Sequence, residues 1–116
     1  MKQITELFQA IDAKSVQTFL TFLDNDCQFK FANLPEAKGI NAIGQFVEGF
    51  FSSIKSLKHQ IEDIWGTPEG AVCHGTVTYI RFDDTTLTVP FANVFYINGN
   101  KITRYQIFAD TSQLYS

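Results

Sequence analysis

The chain has 116 residues, of which 45% are hydrophobic, and a formal net charge of −3. This length predicts one domain, spanning 1–116, with one hydrophobic core. Lysines and arginines are scattered and form no basic stripe, so we expect no nucleic-acid partner. No apolar run approaches the roughly 20 residues that cross a bilayer, so we expect no membrane partner either.

The aromatic and sulfur-containing residues narrow the class further. Twelve Phe, four Tyr and one Trp are bulky planar groups, which both fill cores and line concave binding sites. Cys27 and Cys73 have neither metal-site nor redox-motif spacing, which predicts two reduced, buried thiols in a cytoplasmic protein. The start at Met1 is followed by a polar helix and is not typical of a signal peptide. With two histidines and no clustered carboxylates or phosphate-binding loop, we expect no metal and no cofactor.

The first half of the chain has the pattern of three helices. Helical spacing predicts a first amphipathic helix with an apolar stripe of Ile4, Leu7, Phe8 and Ile11. Ser15 is a favourable N-cap for a short second helix, which is expected to run through Leu23 and to end at the polar turn 24–26. After a strand over 27–32 and a loop over 33–39, the apolar pattern predicts a third helix from about 41 to 55.

The second half has the pattern of four long strands, 57–65, 71–82, 86–97 and 101–109. Asp83-Asp84 and the run 98–100 between them are hairpin signals. Helices followed by a meander predict an α+β fold, in which a curved antiparallel sheet wraps around three N-terminal helices as a cone. One end of such a cone can stay open, and aromatic walls make it a pocket.

Four segments carry a resemblance to a known family: Gly-Ile-Asn-Ala-Ile at 39–43, Gly-Thr-Val-Thr-Tyr at 75–79, and the runs 89–95 and 99–105. Together with the order of elements, they resemble the nuclear transport factor 2-like superfamily, and most of all its small SnoaL-like proteins. That superfamily includes ketosteroid isomerase, limonene epoxide hydrolase and the SnoaL-type polyketide cyclases. The resemblance covers almost the whole chain and implies a cone-shaped, cystatin-like α+β barrel. It does not imply one reaction, because this fold hosts enzymes, binding proteins and assembly modules.

A two-residue turn at Asp83-Asp84 predicts which side chains face the pocket. It pairs Thr76 with Phe91, and the resemblance then assigns to the pocket face His74, Thr76, Thr78, Leu87, Val89, Phe91, Asn93, Tyr105 and Ile107. The convex face is expected to hold Val77, Tyr79, Val94, Tyr96, Arg104 and Phe108. Because so apolar a face is rarely left in water, we expect a homodimer formed through it.

The catalytic residues that the resemblance implies are mostly replaced. An epoxide hydrolase-like site uses a Tyr and an Asn from the first strand, an Arg and two Asp. Asn33 matches the Asn. Phe31 stands in place of the Tyr, Thr76 in place of the Arg, and Thr78 and Ile107 in place of the two Asp. A cyclase needs an acid at the same last position, and isoleucine cannot transfer a proton. Arg81-Phe82-Asp83 spells Arg-x-Asp, but at a hairpin tip, where a solvated turn is expected.

A ketosteroid isomerase-like site needs a base and an oxyanion hole. The acidic residue of the hole falls on Asn93, whose amide can donate a hydrogen bond as a neutral carboxylic acid does. Imidazoles titrate near neutrality, so His74 and His59 are candidate bases, the latter with Asp63 on the same strand face. The alternative for Asn93 is a core amide paired with His74 or with backbone. For His74 it is a strand histidine near a hydrogen-bond partner, and for His59 and Asp63 it is a pair of unrelated residues at the rim.

The sequence therefore predicts a pocket that binds a small apolar molecule and is lined by Asn93, Asn33, Phe31, Thr76, Thr78, Phe91, Tyr105 and Ile107. Two alternatives stay open. One is an isomerase or lyase of ketosteroid isomerase-like type, with Asn93 as hydrogen-bond donor and a histidine as base. The other is a dimerisation or scaffold module whose pocket is filled by its own side chains.

Overall fold

The computed structural model describes residues 2–115. The helices are α1 (Lys2–Asp12), α2 (Val16–Leu20) and α3 (Ile40–Ser52). The strands are β1 (Leu23–Phe31), β2 (Ala37–Lys38), β3 (Ser56–Thr67), β4 (Gly70–Ile80), β5 (Thr86–Asn98) and β6 (Lys101–Ala109). They form a curved sheet in the order β2-β1-β6-β5-β4-β3, in which β1 and β6 run parallel and all other neighbours are antiparallel. The predicted α+β fold is confirmed, although the pattern of strands did not indicate the parallel pair.

The helices bury their apolar stripes in the core. The predicted stripe of α1 is buried throughout. The side chain of Ser15 accepts a hydrogen bond from the backbone N–H of Thr18 (3.3 Å), which confirms it as the N-cap of α2. Gly39 precedes α3 with φ +90°, a backbone conformation that favours glycine. No helix within residues 2–115 is long and apolar enough to cross a membrane.

The second helix is shorter, and the first strand longer, than predicted. The helix ends at Leu20, and Leu23 already belongs to β1, where it pairs with Ile102 of β6. A register shift between Leu23 and Gln28 absorbs the polar residues 24–26. The apolar character of Leu23 is explained by burial against β6 as well as by a longer helix. A single apolar position does not distinguish the helical period from the period of two residues in a strand.

The hairpin between β4 and β5 has a three-residue loop and not the predicted two-residue turn. The backbone N–H of Arg81 donates to the carbonyl of Thr85 (2.8 Å), and that of Asp84 donates back to the carbonyl of Arg81 (2.9 Å). Asp84 has φ +68°, and the carboxylate of Asp83 accepts hydrogen bonds from the backbone N–H and the hydroxyl of Thr85. A turn closed by one left-handed residue is the usual three-residue hairpin loop, and aspartate is one of the residues other than glycine that adopt this conformation.

The extra loop residue turns every side chain of β4 over. Gly75 pairs with Phe91, where the two-residue turn predicts Thr76, so the predicted register is wrong. The buried concave side of β4 holds Cys73, Gly75, Val77 and Tyr79. The convex side holds His74, Thr76 and Thr78, which the prediction placed in the pocket.

A β-bulge in β3 produces a second correction. Ile61 and Asp63 pair with consecutive residues of β4, so Glu62 is an extra residue in the strand. The bulge leaves His59 and Ile61 on the concave side and turns Asp63 to the convex side. The prediction that His59 and Asp63 share one face is therefore wrong.

The convex face carries apolar side chains, but not all of those that were predicted. Of the five apolar residues expected there, Val94, Tyr96 and Phe108 lie on this face, whereas Val77 and Tyr79 lie in the core. Three aromatic side chains of the face are exposed, namely Trp65 (52%), Tyr96 (39%) and Phe108 (50%).

The segment after β6 folds back onto the β4 end of the sheet. Arg81 donates hydrogen bonds from Nε to the carbonyl of Leu114 and from Nη2 to that of Gln113, both over 2.9 Å. Leu114 is buried in the core, and the hydroxyls of Ser53 and Tyr115 lie 2.7 Å apart. The arginine of the Arg-x-Asp motif thus anchors the C-terminal segment.

Candidate functional site

A cavity lies between the concave face of the sheet and the helices. Its volume is about 50 Å³, counted as space for the centres of water molecules, which corresponds to roughly three to five waters or a single aromatic ring. The wall consists of Ile11, Phe19, Phe29, Phe31, Phe46, Val47, Phe50, Phe51, Leu57, His59, Val77, Tyr79, Phe91, Asn93, Tyr105, Ile107 and Ala109.

The structure brings five of the eight predicted pocket residues together. The residues that line the cavity are Phe31, Phe91, Asn93, Tyr105 and Ile107. Thr76 and Thr78 lie on the convex face, where the hydroxyl of Thr78 is 2.9 Å from that of Thr88. Asn33 lies in the turn after β1 with an exposed side chain. Its predicted place in the pocket is wrong, because the chain leaves the strand at Ala32, which has φ +51°.

Asn93 is one of the polar residues of the cavity wall. It is 2% exposed, which confirms the expected orientation of its strand. Its Nδ2 lies 3.5 Å from the hydroxyl of Tyr105, and its Oδ1 has no hydrogen-bond partner. Whichever way the amide is turned, one of its two polar ends has no strong partner in an apolar wall. Such an unmet group costs about 1–3 kcal/mol.

Two tyrosines place hydroxyl groups in the same wall. Tyr79 is 3% and Tyr105 1% exposed. Burial raises the pKa of both phenols, and for Tyr105 the pKa lies well above its ordinary value. Both side chains are therefore neutral in the folded protein and can donate as well as accept a hydrogen bond.

A histidine backed by a carboxylate forms another part of the wall. Nδ1 of His59 lies 2.6 Å from Oδ1 of Asp12, and the backbone N–H of His59 donates to Oδ2 of Asp12 over 3.0 Å. The side chain of His59 is 10% exposed. Its ring packs against Phe8 and, edge to face, against Phe91, at centroid distances of 4.8 and 5.2 Å. Of the predicted candidate bases, this is the one that lines the cavity.

Asp12 was not predicted as a site residue. It is the last residue of α1 and meets His59 from 47 positions away in the chain. One signal for it exists in the sequence, because a negative charge at the C-terminus of a helix is unfavourable with the helix dipole. An aspartate at such a position indicates a tertiary partner, but not which one.

His74 and Asp63 belong to a separate cluster on the convex face. Nε2 of His74 lies 3.0 Å from the carboxylate of Asp63, and its Nδ1 lies 3.6 Å from that of Glu62. The imidazole stacks on Trp65 at a centroid distance of 5.4 Å. The expectation that His74 reaches the pocket as a base is wrong, because the register of β4 turns it outward.

Metal-binding groups and reactive thiols are not part of the cavity wall. Within residues 2–115, no three His, Cys, Asp or Glu side chains are grouped so that they could hold a metal ion. Cys27 and Cys73 are buried, unpaired thiols, and desolvation raises the pKa of each to about 12. The polar atoms around the cavity are therefore those of Asn93, Tyr79, Tyr105 and His59, whose imidazole contacts Asp12.

The profile of the SnoaL-like domain family matches residues 4–105. The chain belongs to the SnoaL-like domain family. An NTF2-like protein of unknown function from Burkholderia pseudomallei is 15% identical, with a TM-score of 0.88 over 98% of this chain and 92% of that one. A putative polyketide cyclase from Xanthomonas campestris pv. campestris is 17% identical, with a TM-score of 0.82 over 97% and 91% of the two chains.

A third similar structure is a protein of ketosteroid isomerase-like fold from Catenulispora acidiphila, in complex with trimethylamine. It is 16% identical, with a TM-score of 0.84 over 91% of this chain and 83% of that one. At these identities the likeness is one of fold. None of the curated proteins matches the chain.

The cavity of this SnoaL-like domain lacks the acid that the family resemblance implies for cyclase and epoxide hydrolase chemistry. Ile107 occupies the expected position and lines the cavity. The corrected register replaces Thr76 and Thr78 with Val77 and Tyr79, neither of which carries a charge at neutral pH. What the arrangement offers is an apolar ring-sized space, an amide with an unmet end, and an imidazole held by a carboxylate.

Proposed function

We propose that this SnoaL-like domain binds a small, largely apolar molecule in the cavity, and that Asn93 holds its polar group. The observation that carries the proposal is the buried amide with an unmet end. Burying such a group without a partner is unfavourable. Binding of a ligand that supplies the missing hydrogen bond removes this cost, and the affinity rises accordingly.

The size of the cavity limits the ligand. Space of about 50 Å³ for water centres suits one ring and excludes multi-ring molecules unless side chains move. Phe46 and Phe50 of α3 line the cavity and are only partly buried, so a substituent on the ring can leave between them.

The proposal is tested by NMR on ¹⁵N-labelled protein with a set of one-ring compounds that differ in their polar group, such as benzyl alcohol, phenol, benzaldehyde and toluene. At least one is expected to shift the side-chain amide signal of Asn93, and Asn93→Ala should weaken its binding by about tenfold. The amide of Asn98, which is exposed at the end of β5, is the internal control. If no compound shifts Asn93, and none is extracted with the purified protein, the proposal fails.

A second candidate is an isomerase or lyase that moves a proton, and the pair of His59 and Asp12 favours it. His59 would take a proton from the carbon next to a carbonyl and return it to the γ-carbon of the unsaturated ketone, while an amide N–H of Asn93 donates to the oxygen on which charge develops. A one-ring test substrate is cyclohex-3-enone, whose conversion to the conjugated ketone is followed by absorbance. Turnover should fall roughly a hundredfold in His59→Gln and stay unchanged in the control His74→Gln. Turnover equal to that of buffer rejects this candidate.

The scaffold alternative needs a pocket filled by its own side chains. The remaining space and the unmet amide inside it argue against that alternative, since a filled core would pair or replace such a group.

A further inference from the structure

We propose that the pair of Asp12 and His59 makes one wall of the cavity a hydrogen-bond acceptor, and that the ligand is a one-ring phenol. This inference rests on the proposed binding function and names the class of ligand. It depends on which atoms around the cavity accept hydrogens and which donate them.

The carboxylate of Asp12 determines where the imidazole of His59 carries its hydrogen. One carboxylate oxygen accepts the backbone N–H of His59 over 3.0 Å, and the other lies 2.6 Å from Nδ1. An ionised carboxylate accepts hydrogen bonds and cannot donate them, so Nδ1 of the neutral imidazole carries the hydrogen. Nε2 therefore has the free lone pair.

Nε2 has no partner of its own. No hydrogen bond to this atom is seen within residues 2–115, and we infer from the place of His59 in the cavity wall that Nε2 faces the cavity. Contacts with Phe8 and Phe91 on the ring, together with 10% side-chain exposure, hold the imidazole in one orientation. Asp12 is thus a positioning residue, which acts on a ligand only through His59.

The cavity offers a second acceptor without a partner. Oδ1 of Asn93 is buried and unpaired, while Nδ2 is directed to the hydroxyl of Tyr105. A ring that carries a hydroxyl can donate to Nε2 of His59 and place its faces against the aromatic wall. An ether or a hydrocarbon of the same shape fills the space but leaves the acceptors unmet, which is the situation in which buried polar groups discriminate most strongly.

Asp12 also has a purely structural interpretation. β3 is an edge strand of the sheet, and the bond to the backbone N–H of His59 covers part of that edge. That interpretation accounts for one carboxylate oxygen and leaves the short contact between the other oxygen and Nδ1 without a role. The two interpretations predict different behaviour of Asp12→Asn.

An asparagine at position 12 keeps both contacts but reverses one of them. Its oxygen can still accept the backbone N–H of His59, whereas its NH₂ group donates to Nδ1. The hydrogen of the neutral imidazole then moves to Nε2, which becomes a donor toward the cavity. The fold is retained, and the preference for a hydroxyl is expected to disappear.

The experiment is a ¹⁹F NMR titration of the whole chain with 4-fluorophenol, 4-fluoroanisole and 4-fluorotoluene, at about pH 8, where an ordinary imidazole is neutral. The three probes share ring and reporter and differ in the hydroxyl. We expect 4-fluorophenol to bind about tenfold more tightly than the other two. In Asp12→Asn and in His59→Phe that ratio should fall to about one, while the affinity for 4-fluorotoluene changes by less than about threefold. Asp63→Asn, which alters a carboxylate on the convex face, should keep the ratio of the unaltered chain.

The outcomes separate this inference from the proposed function. Equal binding of all three probes to the unaltered chain overturns the inference and leaves the binding function in place. A uniform loss for all three probes in Asp12→Asn also overturns it, because that is the behaviour of a structural residue. If none of the probes binds, and the set of compounds described above fails as well, the proposed function is rejected and the inference with it.

Discussion

At the scale of single residues, Asn93 shows a conflict between stability and binding. A buried amide with an unmet end lowers the stability of the empty protein, and such costs are common where a binding site must be kept ready. We expect Asn93→Leu, which keeps the number of side-chain heavy atoms and removes the polar groups, to raise the free energy of unfolding by about 1 kcal/mol and to abolish ligand binding. Urea denaturation measures the first effect. A decrease of more than about 1 kcal/mol would show that the amide has a structural hydrogen bond.

Burial also alters the titration of the two cysteines. Desolvation raises the pKa of Cys27 and of Cys73 from 9.0 to about 12. We therefore expect neither thiol of the folded protein to react with Ellman's reagent at about pH 8, and both to react in guanidinium chloride. Rapid labelling of the native protein would contradict the burial of these side chains.

The same shifts predict loss of stability in alkali. A thiol that stays protonated in the folded state but ionises at its ordinary pKa when unfolded stabilises the fold fully only below that ordinary value. The free energy of unfolding should therefore fall as the pH rises from 9.0 toward about 12. The neutral tyrosines of the cavity wall act in the same direction. The double variant Cys27→Ala, Cys73→Ala should show a shallower pH dependence in denaturant titrations; an unchanged slope would contradict this prediction.

At the scale of elements, the register of β4 decides which residues form the cavity. Two neighbouring residues test it. Val77→Lys places a charge in the apolar core and should destabilise by more than about 3 kcal/mol or prevent folding, whereas Thr76→Lys lies on the convex face and should change stability by less than about 0.5 kcal/mol. Thermal unfolding of both variants measures this. The opposite order of effects is what a two-residue turn at Asp83-Asp84 predicts.

At the scale of the whole molecule, we propose a homodimer through the convex face. Trp65, Tyr96 and Phe108 are exposed there on β3, β5 and β6, and a second copy can cover this patch by presenting the same surface. Phe108→Lys should place like charges near the two-fold axis and dissociate the dimer.

Sedimentation at micromolar concentration tests the dimer. The unaltered chain should sediment at twice its mass of 13.1 kDa, and Phe108→Lys as a monomer. Phe82→Lys is the matched control, since Phe82 is 65% exposed but lies in the hairpin loop. A monomer in the unaltered chain would contradict the proposal.

Local patterns in the sequence determined the element types, the helical stripes, and the inward faces of β5 and β6, because apolar periodicity reports directly which side of an element is buried. The same alternation was present in β4, where His74, Thr76 and Thr78 alternate with apolar or small residues, and it indicated the correct face against the turn prediction. The place of Asn93 in the cavity followed from these patterns, whereas Ile107 in place of an acid followed from the family resemblance.

Only the tertiary structure decided the length of the β4–β5 loop, the bulge at Glu62 and the meeting of Asp12 with His59. Each depends on hydrogen bonds that no periodicity encodes: a side chain that closes a turn, an extra residue that leaves the ladder, and a helix end that packs against an edge strand. One residue more or less at a turn or bulge moves the following side chains of the strand to the opposite face of the sheet. The candidate base was therefore identified from the sequence, but its partner carboxylate was not.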